Sequence, residues 1–586
     1  MKNFLFVFLL LFIGVGVAQK PVPQLPQIYI DTTYAPPTGA SRKVHNSDGL
    51  RIALDAAVPG DTIVLDAGVT YQGNFTLSAK ANPNGKWIYI VSSALSSLPT
   101  PGNRVSPADA ANMPKVVSTN VNAPLTFAQG ANHYRLGGLE IYSISTQGCN
   151  PNTTPPTRCF GYTLVDSKTA IGHSLVDSIT IDRCYIHGSP TIDVQRGVSL
   201  NGSNYAVIDS YVSDIHMHGS EVQAMAGWYT PGPIKIVNNY LSGAGQEILF
   251  GGAGGLNKPW VPSDIEIRNN HLHKPLSWAQ AGVSIPPNNT MVVKNNFECK
   301  SCRRVLFDGN VNENSWVSGQ TGFSIALTPR TNAIGGSGLL AVVDDITITN
   351  NVLKNVASGI DMLESDGLPN CIPANGCTSY GELKRVVIAN NIILLGDTTQ
   401  PGYTKADGWP FLLLPGFGGA PITDVVIQHN TVIPPPNLGL CRTGIYIETV
   451  HPWVAGSVST VNTWILDNVF CRQIFGARGW IGSSPTVITD YMRDPAPVAP
   501  RFFGNVFYAP TTDKEYPLPP HNFSTGKRVE NSNDGEYRLN YPAKMGTSDG
   551  REPGVDQSKL AAAYSAESGT KLRTRSDSKE PQAPKR

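Results

Sequence analysis

Short runs in which β-branched residues alternate with polar ones recur along the chain and close on asparagine. The clearest are IKIVNN at 234–239, IEIRNN at 265–270, VVKNN at 292–296, ITITNN at 346–351 and VVIANN at 386–391. Weaker copies are ITIDRC at 179–184, VIDS at 207–210, VVIQHN at 425–430, WILDN at 464–468 and FFGN at 502–505. Alternation with period two predicts a strand with one buried face. The closing Asn tolerates a left-handed turn and can hydrogen-bond its own backbone.

The spacing turns these strands into an architecture. From Cys184 the closing residue recurs at 210, 239, 270 and 296, in steps of 26 to 31 residues. From Asn310 it recurs at 351, 391, 430, 468 and 505, in steps that shrink from 41 to 37. The interval 296–310 is too short for a coil and reads as an irregular rung. One or two short strands cannot bury a face alone, so each repeat must stack on the next. Stacked Asn side chains then bond along the column. The prediction is an all-β parallel β-helix, a solenoid, with Asn239, Asn270 and Asn296 in one file.

A second set of strands lies between the first: GVSLN at 197–201, EVQA at 221–224, EILF at 247–250, GVSI at 282–285, GFSIAL at 322–327, GIDML at 359–363 and GIYIE at 444–448. These should stack into a separate sheet. The intervening stretches, such as 253–263, 329–340, 364–381 and 397–421, are long and rich in Gly, Pro and aromatics, and long loops on a rigid scaffold tend to carry function.

Before the first coil, 20–45 is Pro-rich and should be extended. Residues 47–58 read as a helix capped by Ser47 or Asp48, with Leu50, Ile52, Ala53, Leu54, Ala56 and Ala57 apolar and Pro59-Gly60 as its stop. A helix there would cover the open end of the solenoid. The run from Leu54 to Leu65, LDAAVPGDTIVL, then a Gly and Thr70-Tyr71, resembles the N-terminal cap and first coil of the pectate-lyase-like superfamily. The resemblance covers about 46–510 and implies a single-stranded right-handed parallel β-helix with an N-terminal amphipathic cap helix and a loop-rich C-terminal cover. It leaves activity open, because that superfamily includes lyases, hydrolases, epimerases, esterases and adhesins. The implied divisions are 1–18 signal peptide, 19–45 extended segment, 46–510 β-helix, 511–564 cover with a short helix at 555–564, and 565–586 disordered tail.

Composition narrows the partners. Net charge is +1 and charged residues are 15%, without the basic stripe of a nucleic-acid binder. Residues 1–18 have Lys2, an apolar core too short to span a bilayer, and small Gly16 and Ala18 before a cut at Gln19. A secreted or periplasmic monomer with no transmembrane segment is expected. Cysteines fit an oxidising compartment. Cys149 with Cys159, Cys371 with Cys377, and Cys441 with Cys471 are candidate staples; Cys299 and Cys302 form a local disulfide or two buried thiols; Cys184 is a lone buried thiol.

Candidate chemistry comes from aligning the second strands. The position before their first inward residue reads Gly197, Glu221, Glu247, Gly282, Gly322, Gly359, Gly444. Glu221 and Glu247 would then lie about 4.8 Å apart on adjacent rungs. Such a pair needs a shared proton, a cation such as Ca2+ or a substrate group to offset repulsion; no cofactor is otherwise required. Retaining glycosidases place carboxyls at a similar distance, and a lyase would oppose a uronic carboxylate with a cation. Gln223, Ser284, Ser324 and Asp361 would line the groove, with Glu364, Asp366 and Glu448 beyond. His216 and His218 point the same way if extended, as acid–base groups or as metal ligands with Asp214 or Glu221. Arg303, Arg304 and Arg330 are candidate partners for the substrate. Trp228, Trp260, Trp278, Trp316, Trp409 and Trp453 could stack on sugar rings. The polygalacturonase-like motif set and a pectate-lyase calcium cluster are missing. The two functions expected are an enzyme cleaving a polysaccharide or oligosaccharide, as polysaccharide lyase or glycoside hydrolase, and a non-catalytic carbohydrate-binding or adhesion solenoid.

Overall fold

The computed structural model describes residues 20–148, 159–168, 174–252, 261–279, 291–330, 341–364, 382–414 and 421–435, then shorter stretches up to 569. Each coil contributes three strands, one to each of three parallel sheets. One coil runs Ile234–Val237 in sheet A, Tyr240–Gly243 in sheet B and Gln246–Phe250 in sheet C, and returns to sheet A at Ser263–Arg268. The coils wind right-handed, as parallel crossovers do. This is the expected right-handed parallel β-helix, with one strand more per coil than the sequence pattern displays. The alternating phrases are sheet A. Their inward residues stack in register, Ile181 on Val207, Ile236, Ile267 and Phe307, all fully buried. Burying each such side chain contributes about 1.5–3 kcal/mol.

The turn from sheet A to sheet B explains the paired asparagines. The first of each pair takes the left-handed conformation: φ is 57° at Asn238, 55° at Asn269, 58° at Asn350 and 60° at Asn390. The second turns its side chain inward as the ladder. Asn239 N donates to Asn270 Oδ1 at 2.9 Å, Asn270 N to Asn310 Oδ1 at 2.9 Å, Asn310 N to Asn351 Oδ1 at 2.8 Å, and the file continues through Asn391, Asn430, Asn468 and Asn505 to Asn522. Ser210 and Cys184 occupy its lower slots, and the Cys184 thiol is free and pushed up to about 12 by burial. Asn296 is not in the file. It lies beside sheet C, where Ser324 Oγ donates to its Oδ1 at 2.8 Å. The coil after Asn270 is therefore a 40-residue coil that closes at Asn310, and 296–310 is not a rung of its own.

The first helix, α1 (Ser47–Ala56), lies over the first coil with Leu50, Ala53 and Leu54 buried. Its cap is Asn46, whose side chain accepts from Gly49 N; Ser47 Oγ instead accepts from Gln72 N. Ile52 and Ala56 face outward. A strand at Ser41–Val44 pairs with Thr62–Leu65 and begins sheet A.

The described segments 20–35 and 547–569 run along the solenoid axis. The segment 20–35 crosses sheet A from the late coils to the early ones. Lys20 Nζ reaches Gln428, Gln24 N reaches Asp345 Oδ1, Gln27 N reaches Asp264 Oδ1, Ile30 O accepts from Lys235, and Ala35 O from Tyr89. Three residues of polyproline II rise about 9 Å. Two rungs of a sheet span about the same distance. Gln24 and Gln27 are three residues apart, and Asp345 and Asp264 are two rungs apart. The strap and the rungs are thus commensurate, with Pro23 and Pro26 buried between. Arg385 and Arg304 hold the same two aspartates from the next rung.

The C-terminal segment follows the A–B turn. Ser548 bonds Asp467, Asp556 N bonds Asn390, and α2 (Ala561–Ser568) packs on Val311 and Val352. Arg104 then accepts the end of the helix, its Nη2 donating to Ala566 O. The helix runs beyond the 555–564 span and past the start of the expected tail. The bonds of both straps go to sheets A and B and to the turn between them, which makes sheet C the face to inspect for chemistry.

Candidate functional site

The register of sheet C departs from the sequence alignment at three rungs: by three residues where Met225 stands for Val222, by two where Ile325 stands for Phe323, and between them where Phe297, not Val283, takes the rung. Met225, not Val222, pairs with Ile248, and Gln223 pairs with Gln246. Val198, Met225, Ile248, Phe297, Ile325 and Ile360 form the inward column. The residues before them are Gly197, Ala224, Glu247, Asn296, Ser324 and Gly359. This position also turns inward: a Cβ on Gly197 would meet Val212 and Ile215 of the core. Glu247 and Glu221 are therefore not neighbours across a groove. Glu247 lies in the interior, fully buried, with both carboxylate oxygens 2.8 Å from the fully buried Lys274 Nζ. Burial pushes the Glu247 carboxyl up to about 7 against the pull of Lys274, and burial lowers Lys274. Ser324 is likewise interior, between Asn296 and Asn312.

Glu221 precedes the strand Gln223–Gly227 and belongs to a different cluster. Its Oε2 is 2.6 Å from Lys294 Nζ and its Oε1 accepts from Gln246 Nε2 at 2.8 Å. The same Gln246 nitrogen reaches Glu298 Oε2 at 2.5 Å, and Gln223 Nε2 donates to Gln246 Oε1 at 3.1 Å. Lys300 stands 3.4 Å from Glu298. It occupies the two-residue turn that the Cys299–Cys302 disulfide closes between sheets C and A. Arg196 lies over the Trp228 ring at 4.6 Å, a cation–π contact, and its charge is felt at Glu221. Burial would raise Glu221, but Lys294, Lys300 and the Gln246 bond outweigh it and hold the carboxyl below its usual range. Glu221 is 35% exposed and Glu298 is 2%.

His216 and His218 meet neither Asp214 nor Glu221 among the described contacts. Both face Asp193, at the start of the sheet C strand Ile192–Ser199 one rung below. His218 Nδ1 is 2.9 Å and His216 Nδ1 3.5 Å from Asp193 Oδ1. Burial would raise Asp193, but the two imidazoles and the His218 amide bring it to about 2.

The remaining candidates scatter. Arg304 is on sheet A, bidentate to Asp264 at 2.7 and 2.8 Å, and Arg303 faces Asp344 there. Arg330 is exposed, and its N donates to Lys300 O beside the cluster. Asp361 shares an outer column with Glu298, two rungs on. Glu364 is buried, its N bonded to Leu414 O. Trp316 is buried in a satellite core. Ser284, Asp366, Glu448, Trp260 and Trp453 lie outside the described residues. Gln246, Lys294, Glu298, Lys300, Arg196 and Asp193 were missed. Lys294 sat inside a phrase that reads as a ladder strand, and Lys300 inside the CxxC that reads as a staple.

Among the described residues, the groups close enough to share an ion are Asp193 with His216 and His218, and His429 with Asp467 and Asp549. Their imidazole donors suit a transition ion rather than Ca2+.

A scan against protein-family models and a search of curated proteins return no match. Solved structures of similar fold include the PL6 family alginate lyase AlyGC, at 12% identity and TM-score 0.48 over 90% of this chain and 58% of that one. A mannuronic acid specific polysaccharide family 6 lyase from human gut microbiota gives 13% and 0.42, over 82% and 89%. Pectate lyase Pel9A gives 13% and 0.29, over 67% and 76%. The chain thus spans little more than half the length of the first of these. At such identities the likeness goes no further than the architecture already described.

Proposed function

We propose that this chain is an exported carbohydrate-active enzyme that cleaves an acidic polysaccharide by elimination on the outer face of sheet C. The carrying observation is that Arg196, Lys294 and Lys300 all act on the half-exposed Glu221 beside Trp228. A uronate carboxylate entering this face would compete with Glu221 for Lys294. Once Lys294 turns to the substrate, burial dominates at Glu221 and its basicity rises when a base is needed. Glu221 then takes the proton α to the carboxylate, the glycosidic C–O bond breaks on the next carbon, a C=C bond forms between them, and the departing oxygen takes a proton from water. The cations stabilise the charge that develops on the carboxylate. Hydrolysis fits less well, because it needs a protonated acid and Glu221 is held ionised. The structures of similar fold include lyases of alginate and pectate; the proposal rests on this chain's own residues. The Cys299–Cys302 disulfide fits export.

A binding role without catalysis is favoured by one observation: Glu298 is buried and Gln246 ties it to Glu221, a rigid arrangement. A panel of uronic and neutral glycans separates the two. Elimination raises ultraviolet absorbance; hydrolysis yields reducing ends without it. Glu221→Gln should cut turnover by about 100-fold or more while glycan binding persists. Binding without product from any glycan, unchanged in Glu221→Gln, establishes the binder.

A further inference from the structure

The Asp193 cluster is built as more than a hydrogen-bonded surface group. His218 N donates to Asp193 Oδ2 at 3.0 Å, which fixes the carboxylate and leaves Oδ1 facing both imidazoles. His218 is itself held by a bridge to Met291, and the Trp278 ring stands edge-on to His216 at 5.8 Å. His216 is 2% exposed, yet its Nδ1 makes no hydrogen bond. A buried ring nitrogen that faces a carboxylate oxygen at 3.5 Å without closing a hydrogen bond, beside a second imidazole on the same oxygen, is an arrangement that a cation completes.

The spacings agree with one ion. Tetrahedral Zn2+ with bonds of about 2.0–2.1 Å puts its ligand atoms about 3.4 Å apart. Asp193 Oδ1 is 2.9 Å from one imidazole nitrogen and 3.5 Å from the other, and all three donors fall within 4.8 Å of one another. The anchored Oδ2 is the outer contact that orients a metal-bound carboxylate. Two imidazoles and one carboxylate suit Zn2+ or a related divalent transition ion. His218 is 22% exposed, so the fourth position opens toward solvent on its side.

We propose that Asp193, His216 and His218 bind one divalent transition ion, Zn2+ by its donor set, with an open fourth position. This goes beyond the elimination chemistry and does not depend on it. The test uses the full chain, stripped by chelator and dialysed against Zn2+ alone, with metal content measured per chain. Co2+ provides a second readout through the visible bands of a tetrahedral ion. The expected result is one Zn2+ per chain and tetrahedral Co2+ bands in the wild type. In His218→Gln, a partly exposed site, both are lost while metal-free melting is unchanged, and affinity falls by more than the about 10–100-fold that losing an outer contact costs. Wild-type protein that retains less than stoichiometric Zn2+ and gives no tetrahedral Co2+ bands overturns the proposal. So does equal binding in His218→Gln, which would put the ion elsewhere.

Discussion

Lys274 and Glu247 meet inside the solenoid, both fully buried, and Lys274 Nζ also donates to the carbonyls of Gly243 and Gly245 at 3.0 and 3.1 Å. Glu247 takes an interior position where the two preceding coils carry Gly197 and Ala224 and the two following carry Asn296 and Ser324. Breaking a buried pair leaves one uncompensated charge and costs about 3–5 kcal/mol. Lys274→Met should lose that much in urea denaturation, and adding Glu247→Gln should restore much of it. A single variant as stable as wild type would show that the pair is neutral in place.

The Asn file makes a separate prediction. Asn351→Ala removes the acceptor of both Asn310 N and Asn310 Nδ2, at 2.8 and 3.1 Å. Each buried donor left without a partner costs about 1–3 kcal/mol. The expected loss is therefore about 2–6 kcal/mol, read from denaturant midpoints. Asn350→Gly should cost less, about 1 kcal/mol, because glycine keeps the left-handed φ, here 58°, and only the part-buried bonds to Asp308 and from Asn390 are lost.

The strap on sheet A should protect several coils at once. Deleting 20–31 removes the bonds to Asp345, Asp264 and Gln428 together. Native-state hydrogen exchange should then rise along sheet A from 235 to 428 rather than at one rung. A rise confined to one coil would show that the strap does not couple them.

Acid should weaken sheet B in two steps. Burial lowers His273 to about 4 from 6.5. Burial would raise Glu313, but the His271 bond and Lys354 outweigh it and bring it to about 2 from 4.5. Both folded values are depressed, so the unfolded chain binds the extra proton first as pH falls. Stability should drop between 6.5 and 4 through His273, then between 4.5 and 2 through Glu313. Denaturation midpoints at stepped pH check this, and His273→Gln should abolish the upper window alone.

The fold was legible because one sheet announces itself. Sheet A alternates strictly, and its turn demands a left-handed residue followed by an inward amide, which together print the Asn pair. Sheet B follows that turn directly and lacked a phrase of its own, so it passed unseen. The site was less legible because sheet C sits between long loops. Nothing local fixes its register, and Glu221-Val222-Gln223 imitates Gly197-Val198-Ser199 closely enough to hide a slip of three residues. The 292–296 run has the ladder phrase but the wrong place; only coil length reveals it. Asp193 joins His216 and His218 across a rung, a contact that sequence distance conceals.

Lys20 and Gln428 touch although they are 408 positions apart in the chain. A ribosome adds about 5–20 residues per second, so the front of the chain waits on the order of tens of seconds for its last foothold. During that interval the nascent rod can grow rung by rung but stays unlatched. The first strap is latched only late in the protein's making, when Lys20 is finally tied to a coil that did not exist when it emerged.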